Sequence, residues 1–342
     1  MIKFFRHIRQ NLIMGNKTGK YLKYAIGEIV LVVIGILIAL SINNWNEERK
    51  ASDYNLVLLK QVQKELAFNI NKSDSLIEFY RKKDTLIYNV LTKKVTFDDY
   101  KNNRRYSNLI FGTQEVNLAN DDYINLVDNQ NHLNQDQNSL ILKLKELYRT
   151  HKNEVDNADK ITLANFLERV DKRKLNPWLY NYMILRETTD DMVLYLLNDP
   201  YYLNDVVTYQ NMFLGDHFGY TLKFRNEAIA IYSELSNYLG IQKDTSIVKN
   251  VKDYEHYLGT YVREDTENKF VINERNNQLF YSTKDKDETT VLRETILYPD
   301  SKTFFTGPGR VFGTLLYNDD KEVVGFIRTK GTEVQLEYKK IK

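Results

Sequence analysis

The chain has 342 residues with 48 basic and 46 acidic side chains and no cysteine, which excludes disulfides and thiolate chemistry. Six of the basic residues and none of the acidic ones fall in the first 24 positions. The rest of the chain is therefore slightly acidic and lacks the basic surface that nucleic-acid binding requires. The length predicts one or two folded domains besides any anchor.

Residues 1–20 are predicted to be a basic, amphipathic leader. Ile2, Phe5, Ile8 and Leu12 recur at helical spacing, while the basic residues fall on other faces. Such a helix lies on the anionic inner leaflet of a membrane.

Residues 21–43 are predicted to form one transmembrane helix. The stretch 21–42 is almost wholly apolar, and as a helix it spans about 33 Å, enough to cross the hydrocarbon core. Tyr21 and Tyr24 at one edge and Trp45 at the other suit the two membrane interfaces. The charge bias favours a cytoplasmic N-terminus and a periplasmic C-terminal bulk, hence inner-membrane localisation. The alternative is a cleaved signal peptide, with residues 29–40 as its core and Ala39-Leu40-Ser41 as its cleavage site.

Three residues inside the span are candidate functional positions. Glu28 is a carboxylate in the membrane, which suggests proton or signal coupling; the favoured interpretation is a snorkelling side chain near the cytoplasmic edge. Gly35 and Ala39 form a small-xxx-small pair that allows close helix approach, so self-association through this helix is expected.

These residues carry a family resemblance. Residues 20–47, reading KYLKYAIGEIVLVVIGILIALSINNWNE, resemble the opening signature of a family of uncharacterised single-pass envelope proteins of Gram-negative bacteria. Residues 122–153 are similar to the family's second block, a short helix and turn before a longer helix, with Asn129 where a turn glycine is expected. The resemblance implies this topology and assigns no activity.

Residues 44–243 are predicted to form an antiparallel helical bundle, because glycine and proline are rare there and apolar residues recur at three and four spacing. The first stripe continues the membrane helix outward. The three stripes are Leu59, Val62, Leu66, Ile70, Ile77, Tyr80, Ile87 and Leu91; Leu140, Leu144, Leu147, His151, Val155, Ala158 and Ile161; and Leu203, Val207, Gln210, Leu214, His217, Thr221, Phe224, Ala228, Ile231, Leu235 and Tyr238.

Four polar residues interrupt the apolar faces of these stripes: His151, Gln210, His217 and Thr221. One hypothesis is a polar layer that senses protons or a metal ion. The favoured interpretation is buried packing and hydrogen bonding, because two histidines with no carboxylate at ligand spacing fall short of a metal site. No metal, cofactor or catalytic residue is assigned.

Residues 244–253 are predicted to be a linker, and residues 254–342 a β-rich module. Period-two alternation and turn signals predict about eight strands in an antiparallel meander that forms a small barrel or half-barrel. The predicted strands are 259–263, 269–274, 278–283, 290–297, 303–306, 310–317, 322–328 and 333–339. The fold class is thus membrane-anchored α+β.

The last 90 residues also resemble the lipocalin-like β tail that follows the catalytic domain in serine hydrolases of the β-lactamase and penicillin-binding type. The likeness rests on Tyr257-Leu258-Gly259-Thr260-Tyr261, Asn277-Gln278-Leu279-Phe280-Tyr281 and Gly325-Phe326. The parent chemistry needs Ser-x-x-Lys, Tyr-x-Asn and Lys-Thr-Gly at one site. Ser246, Tyr100 and Lys17 begin matching triplets or quartets, but they lie in a linker, in the bundle and across the membrane. The chain is therefore not expected to be an enzyme.

The sequence favours a membrane protein with a periplasmic interaction or envelope-maintenance unit, and with a protein partner or a second copy bound through the transmembrane helix and bundle. The alternative is a sensor-like module whose β barrel holds a small apolar or cell-wall-related ligand. Whether Phe270, Phe280, Phe305 and Phe326 fill the barrel or line a pocket discriminates between the two.

Overall fold

The structure, a computed structural model, describes residues 18–131, 133–248, 251–264, 269–275, 278–284, 291–300, 303–306, 311–330 and 333–341. Most of the predicted leader lies outside these residues. The side chains of Tyr21, Tyr24 and Phe305 lie outside the described part as well.

Helices occupy most of the chain up to Leu239. They are α1 (Thr18–Leu91), α2 (Phe97–Asn102), α3 (Arg104–Ser107), α4 (Asp121–Asn129), α5 (Gln135–Glu146), α6 (Lys152–Arg173), α7 (Asp190–Asn198), α8 (Pro200–Tyr209) and α9 (Phe218–Leu239). Three π-helical segments accompany them: Leu147–His151 joins α5 to α6, Asn181–Leu185 lies between α6 and α7, and Gln210–His217 joins α8 to α9. A 3-10 helix follows at Val251–Tyr257.

Helix α1 is one continuous element of 74 residues, about 111 Å long at 1.5 Å per residue. Between Leu22 and Ile42 its large apolar side chains are 46–65% exposed. From Asn55 onward one face is buried, with Leu59, Val62 and Leu66 fully covered. The prediction that the apolar helix continues outward into the folded part is confirmed, and the helix is long and apolar enough to cross a membrane.

The core of the helical domain (residues 55–248) is built by α1, α5–α6 and α9. Contacts between α1 and α9 run in opposite chain order, from Gln63 with Ser236 to Asp74 with Arg225. Contacts between α5–α6 and α9 do the same, from Lys143 with Glu234 to Glu154 with Lys223. Helix α9 is therefore antiparallel to both, as the sequence predicted.

The prediction of one regular helix over the last apolar stripe was wrong. The π-helical segment Gln210–His217 interrupts it. Before that segment the buried residues are Tyr202, Val206 and Tyr209, whereas Val207 is exposed. A π-helical turn holds one residue more than an α-helical turn, so the buried face moves by one position across it.

The second stripe keeps its buried positions Val155 and Ala158 beyond the π-helical segment Leu147–His151 and departs from the prediction at its end. Ile161, which the stripe placed on the buried face, is exposed, and Thr162 is buried in its place.

The C-terminal part is an antiparallel meander. Its strands are β1 (Gly259–Val262), β2 (Lys269–Arg275), β3 (Gln278–Lys284), β4 (Val291–Asp300), β5 (Thr303–Thr306), β6 (Val311–Tyr317), β7 (Val323–Lys330) and β8 (Glu333–Lys340). Each strand pairs with the next, and β8 returns to β1 through Tyr261–Lys340 and Val262–Lys339, which closes the order of pairing into a ring. The change of period expected at Tyr254 was placed too early, since Val251–Tyr257 is a 3-10 helix.

Aromatic side chains pack inside this β module. The ring centroid of Tyr338 lies 4.5 Å from that of Phe270 and 4.7 Å from that of Phe326. The prediction that Phe280 faces inward was wrong: in β3 its neighbours Leu279 and Tyr281 are buried, and alternation places Phe280 on the other face. Gly325 pairs with Lys339, and a Cβ at Gly325 would clash with the carbonyl oxygen of Tyr338.

The helical domain and the β module have separate buried clusters. Ile247 belongs to the helical cluster and Val251 to the β cluster. The change falls inside the predicted linker, residues 244–253, where Asp244, Thr245 and Ser246 are exposed.

The division into two domains therefore stays a prediction with a direct test. Limited proteolysis is expected to cut at residues 244–246 first, because exposed backbone between two buried clusters opens most easily. Mass spectrometry of the products should give a β-rich fragment close to residues 253–342. Early cleavage only at other places would contradict the division.

Candidate functional site

His217 lies at the centre of a buried chain of hydrogen bonds. Its ring is fully buried, with Nδ1 2.9 Å from Tyr80 Oη and Nε2 2.7 Å from Asp159 Oδ1. A carboxylate only accepts, so in the neutral ring Nε2–H donates to Asp159 and Nδ1 accepts from the Tyr80 hydroxyl. The chain joins α1, α6 and the π-helical segment Gln210–His217.

Asp159 extends this chain to the loop that precedes α4. Its carboxylate accepts from the N–H of Val116, at 3.0 and 3.2 Å, and from the N–H of Asn117, at 3.2 Å. Asn117 has a left-handed backbone, φ 51°. Asp159 therefore holds a turn of the loop as well as the imidazole.

The surroundings keep Tyr80 a hydrogen-bond donor. Burial, together with the neighbouring Tyr209 and Asp159 groups, raises the pKa of the Tyr80 phenol. The rings of Tyr209 and Phe213 pack edge-on at 6.4 and 6.2 Å between centroids. Tyr80 and His217 are both buried, and their hydrogen bonds position the helices that carry them against one another.

A group of cations, in which Arg169 and Arg173 are buried and Lys83 is half-buried, lies beside this chain. Lys83 Nζ donates to the carbonyl of Leu109 at 2.8 Å and to the hydroxyl of Tyr209 at 2.9 Å. Burial and then the nearby Arg169 lower the pKa of Lys83 to about 7. Arg169 lies over the rings of Tyr209 and Phe213, 5.2 and 4.8 Å from their centroids.

Arg173 completes the cation group. Its guanidinium lies 3.5 Å from the ring centroid of Phe111 and donates to the carbonyl of Ile110 at 3.2 Å. Burial, followed by repulsion from Arg169, lowers the pKa of Arg173 to about 10. Lys83 and Arg173 thus bind two consecutive carbonyls and fix the loop around Ile110 against the core.

A second buried polar layer lies closer to the apolar segment. Glu65 accepts from Tyr148 Oη at 2.6 Å and from the backbone N–H of Asp122 and Tyr123 at 2.9 and 3.3 Å. Burial raises the pKa of the Glu65 carboxyl, and these hydrogen bonds oppose part of that effect. Asn69 exchanges two hydrogen bonds with the backbone of Ala119. The segment that carries α4 is therefore attached to α1 through polar side chains.

The other predicted bundle residues do not gather at one site. Gln210 and Thr221 are buried with His217, but Thr221 Oγ1 has no hydrogen-bond partner among the described residues. His151 lies two turns before Asp159, with Nδ1 3.2 Å from Glu154 Oε2. It borders a groove of about 290 Å³ that is also lined by Lys143, Glu146, Leu147, Glu227, Ala230, Ile231 and Glu234.

His217 has a carboxylate partner that was not predicted, because the prediction considered only residues at ligand spacing. Asp159 is 58 positions away in the chain, so spacing along one helix could not reveal it. The sequence gives one indication that Asp159 is buried: it lies four residues after Val155, on the buried face of α6. In the part of the chain that the structure describes, no group of three or more His, Asp or Glu residues is arranged to hold a metal ion.

Three of the residues singled out in or next to the apolar segment, Gly35, Ala39 and Trp45, lie on its exposed surface. No atom lies within 4 Å of a Cβ built on Gly35, and Ala39 is exposed. Trp45 is exposed too, with the Arg49 guanidinium 5.5 Å from its ring centroid. Glu28 is partly covered. Self-association through Gly35 and Ala39 remains a prediction.

Comparisons with known proteins add one finding. Residues 28–111 match the model of a family of unknown function, DUF6090. The match runs from the apolar segment through α1 to Phe111 and leaves the larger part of the chain outside it. It is consistent with the resemblance to an uncharacterised family, while the likeness to serine hydrolase tails stays a prediction. Searches of curated proteins and of solved structures found no match.

A positioning role for the His217 chain predicts a loss of stability when it is broken. His217→Ala is expected to lower the free energy of unfolding by about 1–3 kcal/mol, through a cavity and orphaned partners. Asp159→Ala should cost at least as much because it also leaves the N–H groups of Val116 and Asn117 unpaired. The matched control is Asp171→Ala at the end of the same helix, which removes only an exposed pair with Lys174. Thermal melts with and without zinc provide the measurement, and a zinc-induced rise confined to the wild type would contradict the packing role.

The lowered pKa of Lys83 predicts a specific pH dependence of the free energy of unfolding. Its pKa is about 7 in the folded protein against about 10.4 in an unfolded chain, so between these values the unfolded state binds more protons. The Lys83 contribution to the free energy of unfolding should therefore rise with pH from 7 to 10. Lys83→Met is expected to flatten this part of the melting-temperature profile, whereas Lys82→Met, which removes an exposed pair with Glu78, should leave it unchanged. Identical profiles for the wild type and Lys83→Met would refute the assignment.

Proposed function

We propose that this protein is a single-pass inner-membrane protein whose periplasmic helical domain and β module form an interaction or envelope-maintenance unit without catalysis. The observation that carries the proposal is α1, in which an exposed apolar segment and the buried stripe of a folded domain share one uninterrupted helix.

The exposure of the apolar segment supports a membrane environment for it. Its large side chains stay 46–65% exposed over 20 residues, a surface that water disfavours by about 25 cal/mol per Å². Lipid chains would cover this surface at no such cost. The charge bias of the leader supports a cytoplasmic N-terminus.

The geometry of α1 supports a fixed distance between membrane and domain. Trp45 marks the outer interface, and the first fully buried position on α1 is Asn55. The stalk between them, residues 46–54, is mostly polar and spans about 14 Å as a helix. The helical domain would therefore stand close to the membrane surface without a flexible tether.

The β module supports an interaction role over the alternative of a ligand-holding barrel. Described rings of Tyr261, Phe270, Tyr281, Phe326 and Tyr338 pack against one another with centroids 4.5 to 6.3 Å apart. An interior filled by side chains leaves less room for a ligand, whereas the outer surface stays available to a partner. The proposal includes the resemblance of the β module to the lipocalin-like tails of serine hydrolases.

The topology is tested with reporter fusions. A reporter that is active only in the periplasm, fused after Lys342, should be active, and the same reporter fused after Gly19 should be inactive. An N-terminal tag should remain on the membrane-bound protein at full length. A cytoplasmic reporter active after Lys342 would overturn the orientation, and loss of the tag with release of the remainder from the membrane would support the cleaved signal instead.

A further inference from the structure

The far end of the helical domain carries an exposed apolar surface, here called the distal cap. It consists of five side chains that are 51–85% exposed: Leu175, Tyr180, Met183, Ile184 and Leu185. The last three belong to the π-helical segment Asn181–Leu185, which ends at Arg186 with a left-handed backbone, φ 60°. Soluble domains rarely expose so many large apolar side chains within one short segment, and such patches mark interaction sites.

The exposure of the distal cap is enforced by its neighbours. Trp178 and Tyr182, in the same segment, are buried. The Trp178 ring is parallel to that of Phe111 at 6.4 Å, and the Tyr182 ring meets Phe111 edge-on at 5.6 Å. Because these two aromatic residues hold the segment against the core, the remaining apolar side chains point outward in the folded protein.

The distance between the distal cap and the membrane that holds the anchor excludes that membrane as the surface that covers the cap. Phe111 packs under Arg173, and the neighbouring Leu109 accepts from Lys83 of α1. Lys83 lies about 57 Å beyond Trp45 along the helix. With the anchor in the bilayer, as the proposed function has it, the cap is therefore tens of ångströms from that bilayer.

The charges beside the cap favour a second copy of the same surface as its binding partner. At the end of α6, Lys172 pairs with Glu168 at 2.9 Å and Lys174 pairs with Asp171 at 2.6 Å. These pairs give the rim both signs of charge, so two caps can meet without a net repulsion. A rim of unpaired basic residues would have favoured an anionic lipid surface instead.

The size of the cap fits the centre of a dimer interface. Five large side chains at these exposures present about 600 Å², and a stable interface buries about 800 Å² per partner. Two copies in one membrane have their caps at the same height, because no joint separates anchor from domain. Confinement to the membrane also raises the effective concentration of the second copy.

We infer that the distal cap docks onto the distal cap of a second copy of this chain, across a two-fold axis parallel to the membrane normal. The inference rests on the proposed function, because the equal height of the two caps comes from the anchored helix. In such an isologous contact each cap residue near the axis faces its own counterpart.

The absence of cysteine from the chain makes a direct test possible. In the full-length protein in native membranes, Ile184→Cys is expected to form a disulfide-linked dimer on mild oxidation. Leu142→Cys, an exposed apolar position on α5, is the matched control and should stay monomeric. A folded Ile184→Cys protein that forms no dimer, or forms no more than the control, would overturn the inference.

Two further measurements identify the occupant and separate the inference from the proposed function. A photo-crosslinking amino acid at position 184 should give an adduct of twice the chain mass; an adduct with another protein or with lipid would overturn the second-copy assignment. A membrane-impermeant maleimide added from the periplasmic side should label Leu142→Cys, which is exposed and lies outside the cap. Labelling there without dimer formation by Ile184→Cys leaves the proposed orientation standing and removes the dimer, whereas no labelling of a folded Leu142→Cys protein removes both.

Discussion

The packing of the helical domain depends on one face of α1, on which apolar residues alternate with polar residues that water cannot reach. Glu65, Asn69 and Tyr80 are buried on that face, and an unpaired polar group there would cost about 1–3 kcal/mol. The rest of the chain supplies their partners: Tyr148 and the start of α4 for Glu65, Ala119 for Asn69, and His217 for Tyr80. The apolar stripe brings the helices together, and these polar pairs fix how far each one is shifted along α1.

The cations beside the His217 chain also hold one arrangement of the backbone. Lys83 and Arg173 each lie over an aromatic ring and donate to a carbonyl of the loop around Ile110. Desolvation of such groups opposes folding, which is why their pKa values fall, while their directional hydrogen bonds select one loop conformation. This part of the domain gives up some stability for a single arrangement of loop and helices.

Periodicity in the sequence predicts much of this fold, because burial repeats with the geometry of each element. The eight strands lie within three residues of their predicted bounds, and the long first helix is found as expected. Two kinds of feature escape such patterns. The π-helical turn at Gln210–His217 moves the buried face by one residue without a change in composition. Val207 was therefore predicted on the buried face, whereas it is exposed. The pairing of His217 with Asp159 joins distant parts of the chain, so the histidine was predicted to be buried while its partner was missed.

The unbroken helix through the stalk has a consequence for sequence length. In a helix, each inserted residue turns everything beyond it by about 100° and raises it by about 1.5 Å. A stalk longer by one residue would turn the whole domain to a new direction about the axis of the apolar segment, whereas seven more residues, about two turns, would nearly restore the direction and move the domain about 10 Å further from that segment. The length of the stalk therefore sets the direction in which the domain faces as well as its distance from the apolar segment. Stalks whose lengths differ by about two turns place the domain in nearly the same direction.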